Sequence, residues 1–357
     1  MKTPVPALLA CTTLLFVACK KESAEPPAGS STPVSTTDVL NGFASNIATA
    51  NYADLANKTA LLLDSVTAFN TASSEARLDN CRQAWRDARN AWEQSEACLF
   101  GPVSTGNIDP RIDTWPVNFT DLEAQLASPA AFDATYINGL EDALKGFHPI
   151  EYLLWGQNGS KTAAQFTARE KEYLQALTVN LSELTAQLSD AWDAGVPTSY
   201  HYTFAGAGSG NVVYTTQRAA FEELVNAMAG ICDEVGNGKI AEPYLQQDPA
   251  LEESPFSGNS MTDFRNNIRG VENVYLGRYQ ADGAALEDLV RQYDLQLDAT
   301  VKQHISAAET ALNNVTLPFG EAIIAQPVQV QNAIDAINAL AAVLNDELLP
   351  FVRSHTN

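Results

Sequence analysis

His148 and Glu151 stand three residues apart in the run Gly146-Phe147-His148-Pro149-Ile150-Glu151. On a helix, side chains at that spacing project within about 60° of one another and can touch one ion or one substrate. An imidazole nitrogen beside a carboxylate oxygen suits zinc, iron or manganese. With Pro149 as the first helical residue, where its missing N–H costs nothing, His148 falls at the helix edge and Glu151 in the first turn. Taken alone, the two also read as a solvated or capping pair.

Two further clusters offer acidic partners. Trp92-Glu93-Gln94-Ser95-Glu96 puts two carboxylates three apart late in a helix, and Asn107-Ile108-Asp109-Pro110-Arg111-Ile112-Asp113 supplies Asp109 and Asp113 shortly afterwards. In ferritin-like di-metal bundles, carboxylates and an ExxH-type pair from different helices converge in the core. The expectation is that Glu93, Glu96, Asp113, His148 and Glu151 meet in the same way. Glu93 facing water, or Asp109 and Asp113 capping turns, would be the plainer outcome. A typical zinc protease carries HExxH, whereas this chain offers HxxE with a proline inside it. The other histidines are His201, His304 and His355, and a catalytic zinc site would have to recruit His201. A carboxylate-rich, histidine-poor set suits iron better than catalytic zinc. Haem binding is a third reading; no CxxCH run exists, and axial ligation by His148 or Met261 does not follow from spacing. Trp115, Trp155, Tyr200 and Tyr202, in or near loops, leave open a ligand-binding surface module.

These residues have to be positioned by helices. Leu174, Leu177, Leu181, Leu184 and Leu188 form one stripe of a long helix ending near Trp192. Phe221, Leu224, Val225, Met228, Ile231 and Val235 form another, which Gly236-Asn237-Gly238 should stop. Val330, Ile334, Ile337, Leu344 and Leu348 mark a last helix, and residues 38–70 and 74–99 read as two more. Alternating strand patterns are nearly absent, so the predicted class is all-α. Irregular stretches are expected at 101–118, 194–211 and 236–260. At somewhat over 300 residues the folded part exceeds one comfortable core, which predicts two packed helical-bundle subdomains, 38–200 and 201–357.

Ahead of them, Lys2 and the apolar run Ala7–Ala18 read as a signal segment over residues 1–18, too short to span a bilayer permanently. Phe16-Val17-Ala18-Cys19 has the pattern of a lipobox, which makes Cys19 the site of lipid attachment and ties the chain to a membrane through acyl chains. Residues 19–37, rich in Pro, Ser and Thr, read as a flexible tether. The chain carries 43 acidic against 21 basic residues, a formal charge of −22. That balance excludes nucleic acid as a partner, since binding it needs a basic footprint. Of five cysteines, Cys81, Cys98 and Cys232 remain in the folded part, an odd number without CxxC spacing. One bridge or three buried thiols are both compatible with that.

The string Gly146-Phe147-His148-Pro149-Ile150-Glu151-Tyr152-Leu153-Leu154-Trp155-Gly156 resembles the GxHxxE signature of the imelysin family, also catalogued as M75 peptidases. Trp85, Trp92, Glu93, Glu96, Phe100-Gly101-Pro102 and the following NIDPRIDTWP resemble its early block. Glu253-Ser254-Pro255-Phe256-Ser257 and the run Ser260–Asn267 resemble its second-half block. The resemblance implies an all-α fold of two bundles with a site near their junction. It implies a part in bacterial iron acquisition, beside transporter components, from a lipid-anchored position in the periplasm or outer membrane. It carries His148, Glu151 and Gly146 over as signature residues and Glu93, Glu96 and Asp113 as co-ligands; Ser257, Asp263 and Arg265 match without an assigned role.

Overall fold

The computed structural model describes Met1 and residues 33–357; the expected signal segment, Cys19 and all but the end of the tether lie outside the described residues. Order begins slightly earlier than expected. Ser35 caps the helix Thr36–Gly42 in a reciprocal box with Asp38, its hydroxyl accepting from the Asp38 N–H. Two orphan donors are satisfied at once, so the helix starts where the tether was expected to run on. The chain stays helical through a π turn, Phe43–Thr49, into Ala50–Thr71. No β-strand forms among the described residues; an isolated bridge joins Arg278 and Asp282.

Val34–Asn357 form one compact unit. In its first half the helix Ala50–Thr71 packs against both Glu75–Ser95 and Ala168–Ala191. In its second half Pro327–Val343 packs against both Gln217–Asp233 and Leu295–Asn313, and Ser260–Leu276 lies against the same two. The expected leucine stripe of Ala168–Ala191 is buried throughout. Ser260–Leu276 also lies against Glu75–Ser95, and this contact ties the second half to the first. Gly270 permits it: a Cβ there would come within 2.4 Å of the Gln94 carbonyl oxygen.

Four stretches depart from the sequence expectation. Gly236-Asn237-Gly238 does not stop its helix, because neither glycine adopts the left-handed backbone that a helix terminus requires. The chain instead widens into a π turn, Glu234–Ile240, and continues as Ala241–Gln246. The segment 101–118 contains two short helices, Pro102–Thr105 and Asp109–Asp113, and 194–211 contains Tyr200–Ala205. The C-terminal helix is likewise divided, with a π turn at Leu344–Leu348. Cys81, Cys98 and Cys232 are free and buried. Burial pushes each thiol up to about 12, which leaves them as packing residues.

Candidate metal centre

Helix Glu75–Ser95 changes character along one face. Leu78, Cys81, Trp85, Ala88 and Trp92 are fully buried at helical spacing, but Arg89 and Glu93 are interleaved with them and equally sealed. Glu96 follows in a short 3-10 extension. Opposite this face, helix Asp109–Asp113 ends on Asp113, and the signature glycine lies on the backbone just before it. Gly146 has φ +86°, and a Cβ there would sit 2.2 Å from the Ile112 carbonyl oxygen. Only glycine fits both the conformation and the approach. Helix Phe147–Trp155 starts at once, so Phe147 rather than Pro149 is its first residue. Pro149 still costs no hydrogen bond, because N–H groups of the first turn have no partner within the helix. The Trp85 indole N–H donates to the Phe147 carbonyl at 3.0 Å and fixes the start of the helix.

In this frame His148 Nε2 lies 3.1 Å from Asp113 Oδ1 and 3.8 Å from Glu253 Oε1, while Nδ1 lies 3.7 Å from Glu151 Oε2. None of the three is aligned as a hydrogen bond, and both ring nitrogens, with Glu151 Oε2, are buried without a hydrogen-bond partner. Glu151 is held from its other oxygen, which accepts from the Ser257 N–H at 2.7 Å and the Ser257 hydroxyl at 2.6 Å. Asp113 accepts from the Trp92 indole at 2.6 Å. The Trp115 ring lies 5.0 Å from the imidazole.

Two cations complete the cluster. The Arg89 guanidinium pairs with Asp113, with Glu93 and Glu253 at 2.6 Å each, and with Asp263 at 3.7 Å. Lys239, carried inward by the π turn, reaches Glu96 at 2.9 Å, Glu253 at 3.4 Å, and Glu93 and Glu234 at 3.7 Å. The Asn267 amide bridges Glu93 and Glu96. Asp263 accepts from Ser254 and Asn259.

The electrostatics follow from burial opposed by these partners. Burial works to lower the His148 pKa, but the Asp113 and Glu151 carboxylates beside its nitrogens hold it up to about 9. Burial works to raise Asp113 and Glu253, yet Arg89 and His148 hold the first below the ordinary carboxylate range, and Lys239 and Arg89 the second. Glu96 and Asp263 go the other way, pushed up by burial and by the neighbouring Glu93 charge. Asp109, at the edge of the cluster, is pushed up to about 6 by burial and by Asp113.

The structure therefore brings His148, Glu151, Glu93, Glu96 and Asp113 into one buried cluster. Within it Glu93 and Glu96 face the two cations rather than the imidazole. Asp109 stays at the rim. His201 does not join: its ring bonds the Thr49 hydroxyl at 3.1 Å. His355 packs on Phe351. Arg265 donates to the Leu312 and Val315 carbonyls, a structural task. Asp113, His148 and Glu253 each offer one ligand atom within 4.8 Å of the others. Sequence reasoning missed Glu253 as a donor, and missed Arg89 and Lys239 altogether. Arg89 lies four residues before Glu93, on the face that carries Trp85 and Trp92, and that position was its signal.

The comparisons with known proteins bear on the whole chain. The chain is 31% identical over 346 residues to iron-regulated protein A of Synechococcus elongatus, an alignment covering 95% of this chain and 90% of that one. A solved structure of an iron-regulated protein A precursor from Parabacteroides distasonis superposes with a TM-score of 0.80 at 25% identity, covering 93% and 97% of the two chains. An imelysin-like protein from Psychrobacter arcticum shares the fold at a TM-score of 0.69 and 15% identity, over 90% and 97%. The family model described as Imelysin, peptidase M75, matches residues 48–346, and the chain belongs to that family.

Proposed function

We propose that this protein takes part in iron acquisition by binding a divalent cation, iron first and then manganese or zinc, at Asp113, His148 and Glu253. The observation that carries the reading is the set of distances at His148 Nε2, 3.1 Å to one carboxylate oxygen and 3.8 Å to the other. Ligand atoms about 2.1 Å from a common ion stand roughly 3.0–3.5 Å apart in octahedral or tetrahedral geometry. The spacing is close to that, and both nitrogens of the ring are buried without a hydrogen bond. A buried polar atom left unpaired is costly, so a ligand that satisfies it is favoured.

Glu151 has a different task in this reading. It faces Nδ1 while Ser257 anchors its other oxygen, so it orients the ring and takes the Nδ1 proton, as carboxylates behind metal-bound histidines do. Arg89 pairs with Asp113 Oδ1 and Glu253 Oε1, the same oxygens that face His148 Nε2, and so holds both carboxylates in place. The relative named for iron regulation supports iron as the cargo. Export through residues 1–18, a lipid anchor at Cys19, a periplasmic or outer-membrane position and transporter partners belong to the same proposal. Among the described residues no helix is long and apolar enough to cross a membrane.

The test is calorimetric titration of the chelator-stripped protein with ferrous iron, manganese and zinc. Wild type is expected to bind, Glu151→Gln to lose about 10–100-fold in affinity, and Asp113→Asn with His148→Ala to lose binding. Unchanged affinity in that double variant overturns the site. Incubation with an unfolded protein substrate separates binder from peptidase, since chelator-sensitive cleavage lost in Glu151→Gln would make the protein an enzyme.

A further inference from the structure

From Ala194 to Gln217 the chain carries no Asp, Glu, Lys or Arg, although 18% of all its residues are charged. The same segment exposes Val196, Tyr202, Val212 and Val213, with Val212 92% open to solvent. Single exposed apolar residues are ordinary, but several on one uncharged segment mark a contact surface.

The first turn of the first helix lies against this segment. Gln217 accepts from the Thr36 hydroxyl and donates to the Thr37 hydroxyl at 2.8 Å, and helix Thr36–Gly42 packs on Tyr200–Ala205. Beside the same turn the Gln292 amide donates to the Val34 carbonyl at 3.0 Å, next to the exposed Tyr293 and Leu295. The acids nearby are used as caps: Asp38 accepts from the Ser35 N–H, and Asp294 from the Gln296 and Leu297 N–H groups. Cys19 stands 15 residues before Val34, and a chain of that length spans at most about 50 Å. Acyl chains at Cys19 would therefore hold Val34, and the uncharged segment beside it, close to a bilayer. A protein with a formal charge of −22 is repelled by an anionic lipid surface over a Debye length of about 10 Å, so an uncharged face is the one that approaches it. The valines supply apolar area, and Tyr202 and Tyr293 supply amphipathic rings suited to the headgroup level.

We propose that residues 194–217, with Tyr293 and Leu295, form a lipid-facing surface that rests on the membrane to which Cys19 ties the chain. The proposal rests on the lipid anchor proposed above and is independent of the metal site. Helix Gln217–Asp233 begins at this surface and, at 17 residues, runs about 25 Å from it. Leu245, 75% exposed in the helix that continues beyond its end, is the matching control position.

The test is nitroxide depth measurement on the full acylated chain in phosphatidylethanolamine and phosphatidylglycerol vesicles, labelled at Val212→Cys or at Leu245→Cys. Cys81, Cys98 and Cys232 are buried, and acylation consumes the Cys19 thiol, so the introduced cysteine takes the label. The label on Val212→Cys is expected to lose access to a water-soluble nickel complex several-fold relative to the label on Leu245→Cys, and to gain access to oxygen. Equal values at the two positions, in a chain that mass spectrometry shows to be acylated, overturn the lipid-facing surface and leave the anchor standing. A chain without acyl groups on Cys19 overturns the anchor and this surface with it. Protection of Val212→Cys in native membranes but not in protein-free vesicles assigns the surface to a membrane protein and also overturns the proposal.

Discussion

Around Lys302, the carboxylates of Glu287 and Asp298 meet two cations, Lys302 and Arg291. Around Arg89, the carboxylates of Glu93, Glu96, Asp113, Glu151, Glu253 and Asp263 meet Arg89, Lys239 and one histidine. The Lys302 group is balanced in charge and its cations reach water, Lys302 35% and Arg291 53% exposed, over buried Glu287 and Asp298. None of its side-chain atoms is buried without a partner. The Arg89 group is sealed, has more acid than base, and leaves nitrogens and oxygens unpaired. Exposed ion pairs form wherever long charged side chains meet, and they decide little. Sealed charge with unsatisfied acceptors is costly, and a protein keeps it where a ligand completes it.

The sharpest way to break this contrast is Arg89→Met. Arg89 is fully buried and pairs with four carboxylates, so its loss leaves several buried charges uncompensated. Breaking a buried pair from one side costs about 3–5 kcal/mol. Urea unfolding of the chelator-treated protein should show a loss of that size, and a loss below about 1 kcal/mol would mean that the cluster is effectively solvated. Adding Asp113→Asn to Arg89→Met should recover part of the loss, because one of the stranded charges is then gone.

How much of this was legible in the sequence depends on what leaves a periodic mark. The leucines of Ala168–Ala191 repeat at three and four residues, and that stripe became the buried face. His148, Asp113 and Glu93 stood out because imidazoles and close-set acids are few and tied to glycine and proline punctuation. Arg89 left only its place on the Trp85 and Trp92 face, and Lys239 left no mark, since one buried cation in a helix has the same spacing as an exposed one. The glycines beside Lys239 read as a helix stop, and nothing local distinguishes a C-cap from a π turn that carries the chain onward. Glu253 joins the site, and Ser257 anchors Glu151, from about a hundred residues downstream. Both depend on the packing of Ser260–Leu276 on Glu75–Ser95, which spacing along the chain cannot show.

A second prediction sharpens the contrast by pH. In metal-free protein His148 faces Asp113, Glu151 and Glu253, with the Arg89 guanidinium close by, and its pKa stands at about 9. An unfolded histidine titrates near 6.5. The folded state therefore keeps a proton that the unfolded state has lost, and this stabilisation is fully present below about pH 6.5 and disappears as pH rises through 9. Its size is on the order of 3 kcal/mol. Urea midpoints of the chelated protein should fall between pH 6.5 and 9.5, and His148→Asn should flatten that decline. An equal decline in both proteins would assign the titration to another group. Cation affinity should run the opposite way and rise with pH over the same range, because the ring must lose a proton to coordinate.

The smallest effect is expected at the balanced cluster. Lys302→Met removes an ammonium that touches Glu287 and Asp298 from a position one-third exposed. Glu287 and Asp298 are themselves buried, but water reaches the position Lys302 vacates, and the Arg291 guanidinium, 3.8 Å from Asp298, remains as a counter-charge. The Tyr275 hydroxyl still donates to Asp298 at 3.1 Å. The expected loss in urea unfolding is below about 1 kcal/mol and should shrink further in molar salt. A loss approaching that of Arg89→Met would mean that balance and exposure do not separate the two groups. In that case the unpaired atoms around His148 would be the only remaining physical reason to treat that cluster, rather than this one, as a place for a ligand.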